Sequence, residues 1–365
     1  MSLEVITQQI EGVLGCIGNG ETFMDAIRDD MYTPESVKEM GATVRTNVRN
    51  GQRLIVEDSR PNAESFPFMD LDAGDCKPEA CTVDGSIRTP TWNLGLLGCD
   101  TEICLLKLPE LILEFFGDWR YTDADLTNGA VQSRIVAYMQ NKFMENQILA
   151  NKRAAFFGDV DSDSNLFNGT DGYLKLLEAG DNHVEIAQNA ELTYAEQMMT
   201  FDEVVAILDE QYTLLASRPG FSEAGYEFRM TNFMATAYWN GLRNLRRAGA
   251  QLPDGCCLSA DDYTRGAIKK SNLAFEDIPI RVDYDLDYLV ENITELNGGG
   301  GTAARVNPNI SLLARPQDLY IGTTKMDRIG SNKIIIDEPA NQLILRGMSY
   351  FGTLVPFADR VSLAI

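Results

Sequence analysis

The sequence contains a single histidine, His183, among 365 residues. A catalytic triad, a two-histidine metal site or a histidine general base would have to use His183 or be absent. His183 follows Gly180-Asp-Asn, a pattern typical of an exposed turn before a short strand. We therefore predict a structural or surface role for it.

The sequence also lacks the common nucleotide-binding and hydrolase motifs. It has no Gly-x-x-x-x-Gly-Lys-Ser/Thr loop and no Gly-x-Ser-x-Gly elbow, and glycines 298–301 lack the strand-to-helix setting of a dinucleotide loop. We expect no catalytic residue, no cofactor and no enzymatic activity. A function spread over surfaces, such as assembly, fits these absences.

No run of 18 or more uncharged apolar residues is present, and residues 1–12 are polar and acidic, so we expect neither a membrane span nor a signal peptide. The 31 basic and 54 acidic residues give a formal net charge of −23. Such a charge favours solubility and repels nucleic acid at long range. The hydrophobic content of 44% is enough for the cores of two or three folding units. Because no signal peptide is expected, the predicted compartment is cytosol-like.

Four of the seven cysteines form two equally spaced pairs, Cys76 with Cys81 and Cys99 with Cys104. Three interpretations stay open: free thiols that pack as small hydrophobes, a four-thiolate metal site, or a disulfide, including a bond between subunits formed after release. The usual zinc knuckle has two residues between its cysteines, whereas these pairs have four. Between the pairs, alternation over 87–91 and then 102–106 predicts a β-hairpin.

A long helix is predicted over residues 130–157, roughly 42 Å in length. Its apolar stripe recurs every four residues at Val131, Ile135, Met139 and Phe143.

The basic residues of this helix outnumber its acidic ones. They are Arg134, Lys142, Lys152 and Arg153, against Glu145. One interpretation is a solvated helix face, and the other is a face turned toward an anionic partner.

An acidic run, Asp159-Val-Asp-Ser-Asp163-Ser-Asn165, follows the helix and resembles the start of a calcium loop. An EF-hand loop would need glycine at 164 and glutamate at 170, where this chain has Ser164 and Thr170. We therefore predict a solvated turn that caps the basic end of the helix. Asn168-Gly169 and Asp171-Gly172 predict sharp turns immediately afterwards.

Alternating helices and strands are predicted from residue 178 onward, which favours a sheet flanked by helices. Thr200 and Glu203 form a capping box for a helix, and Thr231 is expected to cap a second one. Strands are predicted at 226–230 and 278–282, and residues 308–365 are strand-rich.

The order of these elements, with several short motifs, resembles tailed-phage major capsid proteins of the Hong Kong 97-type fold, in particular those of phages that infect Bacteroidetes. The motifs are Leu-Phe-Asn-Gly-Thr-Asp-Gly-Tyr-Leu-Lys-Leu-Leu at 166–177, Asp-Leu-Tyr-Ile-Gly-Thr at 318–323, Arg346-Gly347 and Phe351-Gly352. The resemblance spans nearly the whole chain.

The resemblance implies an α+β fold with five segments. Residues 1–65 would be an N-terminal arm, and 66–125 an extended β-hairpin (the E-loop) with its base. Residues 126–177 would hold the long spine helix of the peripheral domain. Residues 178–325 would form the α/β axial domain, and strands in 326–365 would complete both domains.

The resemblance also implies a function, a structural subunit that builds hexamers and pentamers of an icosahedral shell around double-stranded DNA. Its partners would be further copies of itself, portal, scaffolding and decoration or minor capsid proteins, and packaged DNA. The expected location is the virion, after assembly in the host cytoplasm. No maturation cleavage is expected, so scaffolding would be a separate protein.

In this family the spine helix lies toward the shell interior, so its basic positions, Arg134, Lys142, Lys152 and Arg153, would face DNA. Two alternatives remain beside the phage shell. One is an encapsulin-like nanocompartment, and the other is a metal-dependent enzyme that uses Cys76, Cys81, Cys99 and Cys104.

Overall fold

The computed structural model has a mixed α+β architecture built on a seven-stranded sheet, a five-stranded sheet and a two-stranded one. It describes residues 41–59, 85–104, 145–178, 180, 182–187, 196–218, 221–248, 256–257, 269–297, 307–324, 333–337 and 342–365. Among the helices within these ranges, none has the length and apolar content needed to cross a bilayer.

The strands that the structure describes are short, with two exceptions. They are β1 (Thr43–Arg45), β2 (Val56–Ser59), β3 (Gly85–Arg88), β4 (Gly95–Cys104), β5 (His183–Val184), β6 (Glu227–Met230), β7 (Cys256–Cys257), β8 (Ala274–Phe275), β9 (Ile278–Val282), β10 (Ser311–Ala314), β11 (Tyr320–Thr323), β12 (Lys333–Asp337), β13 (Gln342–Leu354) and β14 (Ser362–Ala364).

The described helices are α1 (residues 145–157), α2 (Tyr173–Glu178), α3 (Phe201–Ala216), α4 (Asn232–Ala248), α5 (Tyr284–Asn292) and α6 (Thr294–Asn297). Helix α1 is the described part of the predicted long helix. Its upstream residues, including Val131, Ile135, Met139 and Phe143, lie outside the described ranges.

The larger sheet has seven strands in the order β5-β14-β10-β6-β9-β8-β7. Both of its faces are covered, because successive residues of the central strand β10 enter different cores. Leu312 packs with α1, α2 and α5, whereas Leu313 packs with α3 and α4. A strand with helices on both faces must be apolar at consecutive positions, which explains why all four residues of β10 are buried.

The second sheet is organised on β13, the longest described strand. Residues 342–351 of β13 pair antiparallel with the whole of β4. On its other side β13 pairs first with β12 and then, beyond residue 350, with β11. One strand therefore joins three others, and β11 in turn pairs in parallel with the edge strand β1.

Residues 41–54 of the expected N-terminal arm are packed on the body of the protein. The side chains of Ala42 and Val48 are buried, and the Val48 amide donates to the Thr323 carbonyl at 3.0 Å. Strand β1, at the edge of its sheet, covers the start of the alternating segment Thr43-Val-Arg-Thr-Asn-Val-Arg49. Residues 1–40 lie outside the described ranges.

The prediction that residues 87–91 and 102–106 pair as a β-hairpin is wrong, because the strands found there pair with other strands. Strand β3 pairs antiparallel with β2, from Val56 opposite Arg88 to Ser59 opposite Gly85, while β4 pairs with β13. The partner strand of β3 therefore lies upstream of it, within residues 1–65, which were predicted to form the N-terminal arm. Local alternation identifies a strand but contains no information about its partner.

Helix α3 begins as the sequence predicts. The Thr200 hydroxyl accepts from the Glu203 amide at 3.4 Å, and the Glu203 carboxylate accepts from the Thr200 amide at 2.7 Å. This reciprocal pair satisfies two amides that the first turn of a helix leaves without partners.

Helix α4 does not begin as predicted. The Thr231 hydroxyl donates to the Pro308 carbonyl at 2.6 Å, so it contacts the chain entering β10. The carboxylate of Asp287, on α5, instead accepts from the amides of Asn232 and Phe233 at 2.5 and 3.4 Å. A cap supplied from 54 residues downstream joins the two helices, and no local motif could have indicated it.

The Asp287 cap makes the stability of the protein depend on pH. Burial raises the pKa of this carboxyl from 3.8 to about 6, which outweighs the lowering by the two backbone N–H groups. The native state thus holds the proton more tightly than the unfolded chain does. The contribution of Asp287 to stability is greatest below about pH 4 and falls as the pH rises through 6.

We predict that Asp287→Asn reduces the fall in unfolding free energy between pH 4 and pH 7, since an amide can cap without carrying a buried charge. At pH 8 the unfolding free energy of the variant should equal that of the wild type or exceed it by up to about 1–3 kcal/mol. Urea unfolding across this pH range measures the effect, with Asp209→Asn on the exposed side of α3 as the control. A variant that is less stable than the wild type only at high pH contradicts the prediction.

Candidate functional surfaces and the central junction

Three of the four motifs that carry the family resemblance meet at one place in the structure, where the start of α2 contacts the sheet built on β13. The Tyr173 hydroxyl donates to the Tyr320 carbonyl at 3.1 Å, and the Thr353 hydroxyl donates to the Asp171 carbonyl. Gly322 of β11 is paired with Gly352 of β13. Segments about 150 and 180 residues apart therefore form a single unit, which we call the central junction (residues 158–173, 320–323 and 351–354).

Glycines at the central junction are needed because backbones approach each other closely. A Cβ added to Gly172 would lie 2.5 Å from the Phe156 carbonyl oxygen, and one added to Gly158 would lie 2.3 Å from that of Thr170. A Cβ on Gly95 of β4 would meet the Gly169 carbonyl oxygen at 1.5 Å. Asn168 and Gly169 lie in a turn, as predicted, and neither Gly169 nor Gly172 has a positive φ, so close approach is what requires glycine there.

The acidic turn is neutralised by a lysine that follows it in the sequence. The Lys175 ammonium lies 2.7 Å from Asp159 Oδ1, 2.6 Å from Asp161 Oδ2 and 2.8 Å from Asp171 Oδ1. Burial alone would lower the pKa of Lys175, but the three carboxylates outweigh it and raise the pKa. The Lys175 ammonium thus links three neighbouring carboxylates to α2.

The four predicted DNA-facing residues do not form one exposed surface. Arg134 and Lys142 lie outside the described ranges. Arg153 is half-buried and has contacts of its own. The prediction for Lys152 is wrong: its side chain is 5% exposed and its ammonium pairs with Asp283 at 3.4 Å and with Asp285.

Lys152 belongs to a buried ionic network that sequence analysis missed. Arg229 of β6 donates to Asp283 at 3.0 Å and to Glu227 at 3.1 Å. Phe228 and Met230 face the core under α3 and α4, so the alternation of the strand turns Arg229 toward α1. The signal was present in Glu-Phe-Arg-Met, because a charged residue inside a buried strand requires a partner of opposite charge.

His183 lies in β5 itself, half-buried, and not in an exposed turn before it. Its Nε2 is buried and has no hydrogen-bond partner among the described residues. It lines a cleft of about 990 Å³ with Lys175, Glu178 and Glu185. The described lining includes no hydroxyl or thiol, so the arrangement lacks the nucleophile that a serine or cysteine hydrolase requires.

Of the four cysteines considered for metal, Cys76 and Cys81 lie outside the described ranges. Cys99 and Cys104 both lie on β4, and the ladder between them is unbroken, from Gly347 to Gln342 on the partner strand. Five residues apart on a regular strand, the two positions are on opposite faces of the sheet. Within the described ranges no three His, Cys, Asp or Glu side chains are arranged so that they could hold a metal ion.

The base of the β2–β3 hairpin is attached to the C-terminal part of the chain. The Arg88 guanidinium donates to Asp359 Oδ1 at 2.8 Å and lies 5.5 Å from the centre of the Phe357 ring. Two exposed apolar side chains lie close to the base in sequence, Ile55 and Leu96, with 73% and 54% of their surface accessible. The hairpin base thus combines a fixed attachment with apolar surface that is available for contact.

We predict that Gly172→Ala lowers the unfolding free energy by about 1–3 kcal/mol, because the new methyl group collides with backbone atoms that cannot move independently. Gly98→Ala is the matched control, since a Cβ at that position meets nothing within 4 Å. Chemical unfolding of both variants measures the difference. Equal effects at the two positions would show that close approach is not what requires Gly172.

We predict that Lys175→Met lowers the melting temperature at low salt, because three carboxylates then face one another without a cation. The deficit should shrink in about 1 M NaCl, where repulsion between charges is screened within a few ångströms. Lys269→Met, at an exposed position, is the control and should melt like the wild type. A Lys175→Met variant with an unchanged melting temperature at low salt contradicts this role.

No protein-family model and no curated protein matches the sequence. Solved structures do match over most of its length. A chain of Gordonia phage Cozz is 12% identical with a TM-score of 0.48, covering 90% of this chain and 85% of that one. The capsid of a native GTA particle is 13% identical with a TM-score of 0.45, covering 91% and 90%.

A third match is the holo-SrpI encapsulin complex from Synechococcus elongatus, 12% identical with a TM-score of 0.40, covering 91% of this chain and 87% of that one. The chain is thus similar, over about nine-tenths of its length, to chains from phage and GTA particles and to an encapsulin.

Proposed function

We propose that the chain is a major capsid protein of a tailed phage, which assembles into hexamers and pentamers of an icosahedral shell around double-stranded DNA. The observation that carries the proposal is the central junction. The sequence motifs that resemble this family are distant in the chain, and they contact one another there through Tyr173, Tyr320 and Thr353.

The attachments of the arm and the hairpin support the same function. Among the described strands, β1 is at one edge of its sheet. The hairpin β2–β3 forms a sheet of its own, held to the body through Arg88 and Asp359. An arm and a hairpin attached at the edge of a folded body are suited to contact neighbouring copies in a shell.

The interior contact with DNA is proposed for the predicted long helix, through Arg134, Lys142 and Arg153, which remain from the predicted set. A chain with a net charge of −23 would contact packaged DNA weakly and without sequence preference. Portal, scaffolding and decoration or minor capsid proteins are the further partners of such a shell. It would be assembled in the host cytoplasm and become part of the virion.

We predict that the purified chain, alone or co-expressed with its scaffolding protein, sediments as capsomers or as large closed particles. Negative-stain electron microscopy should then show rings of five and six subunits or complete shells. Elemental analysis should find less than one zinc per chain, because Cys99 and Cys104 occupy opposite faces of β4.

Two other outcomes would lead to different functions. A monodisperse monomer with one bound zinc, inactivated by a chelator, would replace the shell with a metal-dependent enzyme. Closed particles that form without scaffolding protein and enclose a protein in place of DNA would indicate an encapsulin-like compartment.

A further inference from the structure

One face of α5 presents two large aromatic side chains to solvent. Tyr284 and Tyr288 are four residues apart and have 59% and 54% of their surface accessible. Glu291, three residues further on, is also exposed, so the three residues follow one side of the helix. Adjacent exposed tyrosines are typical of protein–protein contacts, in which aromatic residues are enriched.

The C-terminal end of α4 carries three arginines, Arg243, Arg246 and Arg247, in a strongly acidic chain. Arg247 is exposed, and Arg243 and Arg246 are partly exposed. The Arg243 guanidinium already lies 4.3 Å from the centre of the Trp239 ring. Guanidinium groups bind carboxylates in bidentate fashion and stack on aromatic rings. This end of α4, called here the arginine end, therefore fits a surface of tyrosine and glutamate.

The arginine end and the outer face of α5 lie at opposite ends of α4. The N-terminus of α4 is held by Asp287 of α5, through the amides of Asn232 and Phe233. Arg247 follows Asn232 by 15 residues, which corresponds to about 22 Å along the helix. The two complementary surfaces cannot meet within one chain, so they can meet only between copies.

We propose that the arginine end of α4 in one copy docks on the Tyr284–Tyr288–Glu291 face of α5 in a neighbouring copy. The contact joins two different surfaces, so it is directional and closes into rings when the rotation between copies allows it. This inference rests on the proposed function, because it names the surfaces by which shell subunits would recognise one another.

A reciprocal charge exchange tests the docking. The first variant, Arg246→Glu/Arg247→Glu, reverses the arginine end. The second, Glu291→Arg/Glu295→Arg, reverses the face of α5 and the exposed Glu295 that follows it. Each variant alone should reduce the assembled fraction at least tenfold in sedimentation velocity. The two change the net charge in opposite directions, so a common loss of assembly cannot come from net charge.

Combining the variants should restore assembly in two ways. A chain with all four substitutions should form rings as the wild type does. An equimolar mixture of the two variants should form six-membered but not five-membered rings, because alternating copies satisfy every contact only in an even-numbered ring. Electron microscopy of the mixture measures the two populations.

A milder variant keeps the test independent of charge. Tyr288→Ala should weaken assembly about tenfold or more, as expected for an aromatic residue at the centre of an interface. Met198→Ala, at a side chain that is 48% exposed elsewhere on the surface, should leave assembly unchanged. Circular dichroism should show that all variants are folded.

The docking is overturned if the reversed variants assemble like the wild type. It is also overturned if they stay folded and dissociated both in the mixture and in the four-substitution chain. Either result, obtained while the wild type forms shells, removes the docking and leaves the proposed function intact. A wild-type chain that forms neither rings nor shells overturns both.

Discussion

The carboxylate of Asp283 receives two cations, and the position of the helix layer on the larger sheet depends on that arrangement. Arg229 reaches it from β6 and Lys152 from α1, and all three side chains are nearly excluded from solvent. Removing one partner of a buried ion pair costs roughly 3–5 kcal/mol, because the remaining charge loses both water and its counter-ion. Gly41 packs directly on the Arg229 guanidinium, with an added Cβ only 2.0 Å from Nη2. The start of β1 is therefore positioned by the same charges that hold α1.

Strand β13 connects the remaining parts of the molecule. On one side it pairs with β4, the strand that follows the hairpin in the chain. On the other side it pairs with β11, which in turn pairs with the edge strand β1. Gly322 and Gly352 face each other in that ladder, and Trp92 packs on Gly322, where a Cβ would lie 2.5 Å from the indole ring. The arm, through β1, and the hairpin, through the following strand β4, are thus attached to the same sheet. Both segments are the ones expected to contact neighbouring copies.

Local chemistry made much of the fold predictable. The capping box at Thr200 needs only residues three apart, and β6, β9, β10 and β14 were identified from short apolar runs between polar breaks. Features that depend on distant residues were not predictable. Strand pairing of β4 with β13, the Asp287 cap on α4 and the burial of Lys152 all join residues more than 50 positions apart. The spacing of basic residues along a helix is the same whether they contact buried carboxylates or solvent. Spacing therefore could not indicate that Lys152 is buried.

The parallel pairing of β1 with β11 has a consequence for biosynthesis. Thr43 is paired with Tyr320, which follows it by 277 residues. At a translation rate of about 5–20 residues per second, β1 leaves the ribosome roughly 15–55 s before its partner strand exists. Throughout that interval the apolar side chains of Ala42 and Val48 have no sheet to cover them. The edge strand of this sheet is thus made long before the strand that pairs with it.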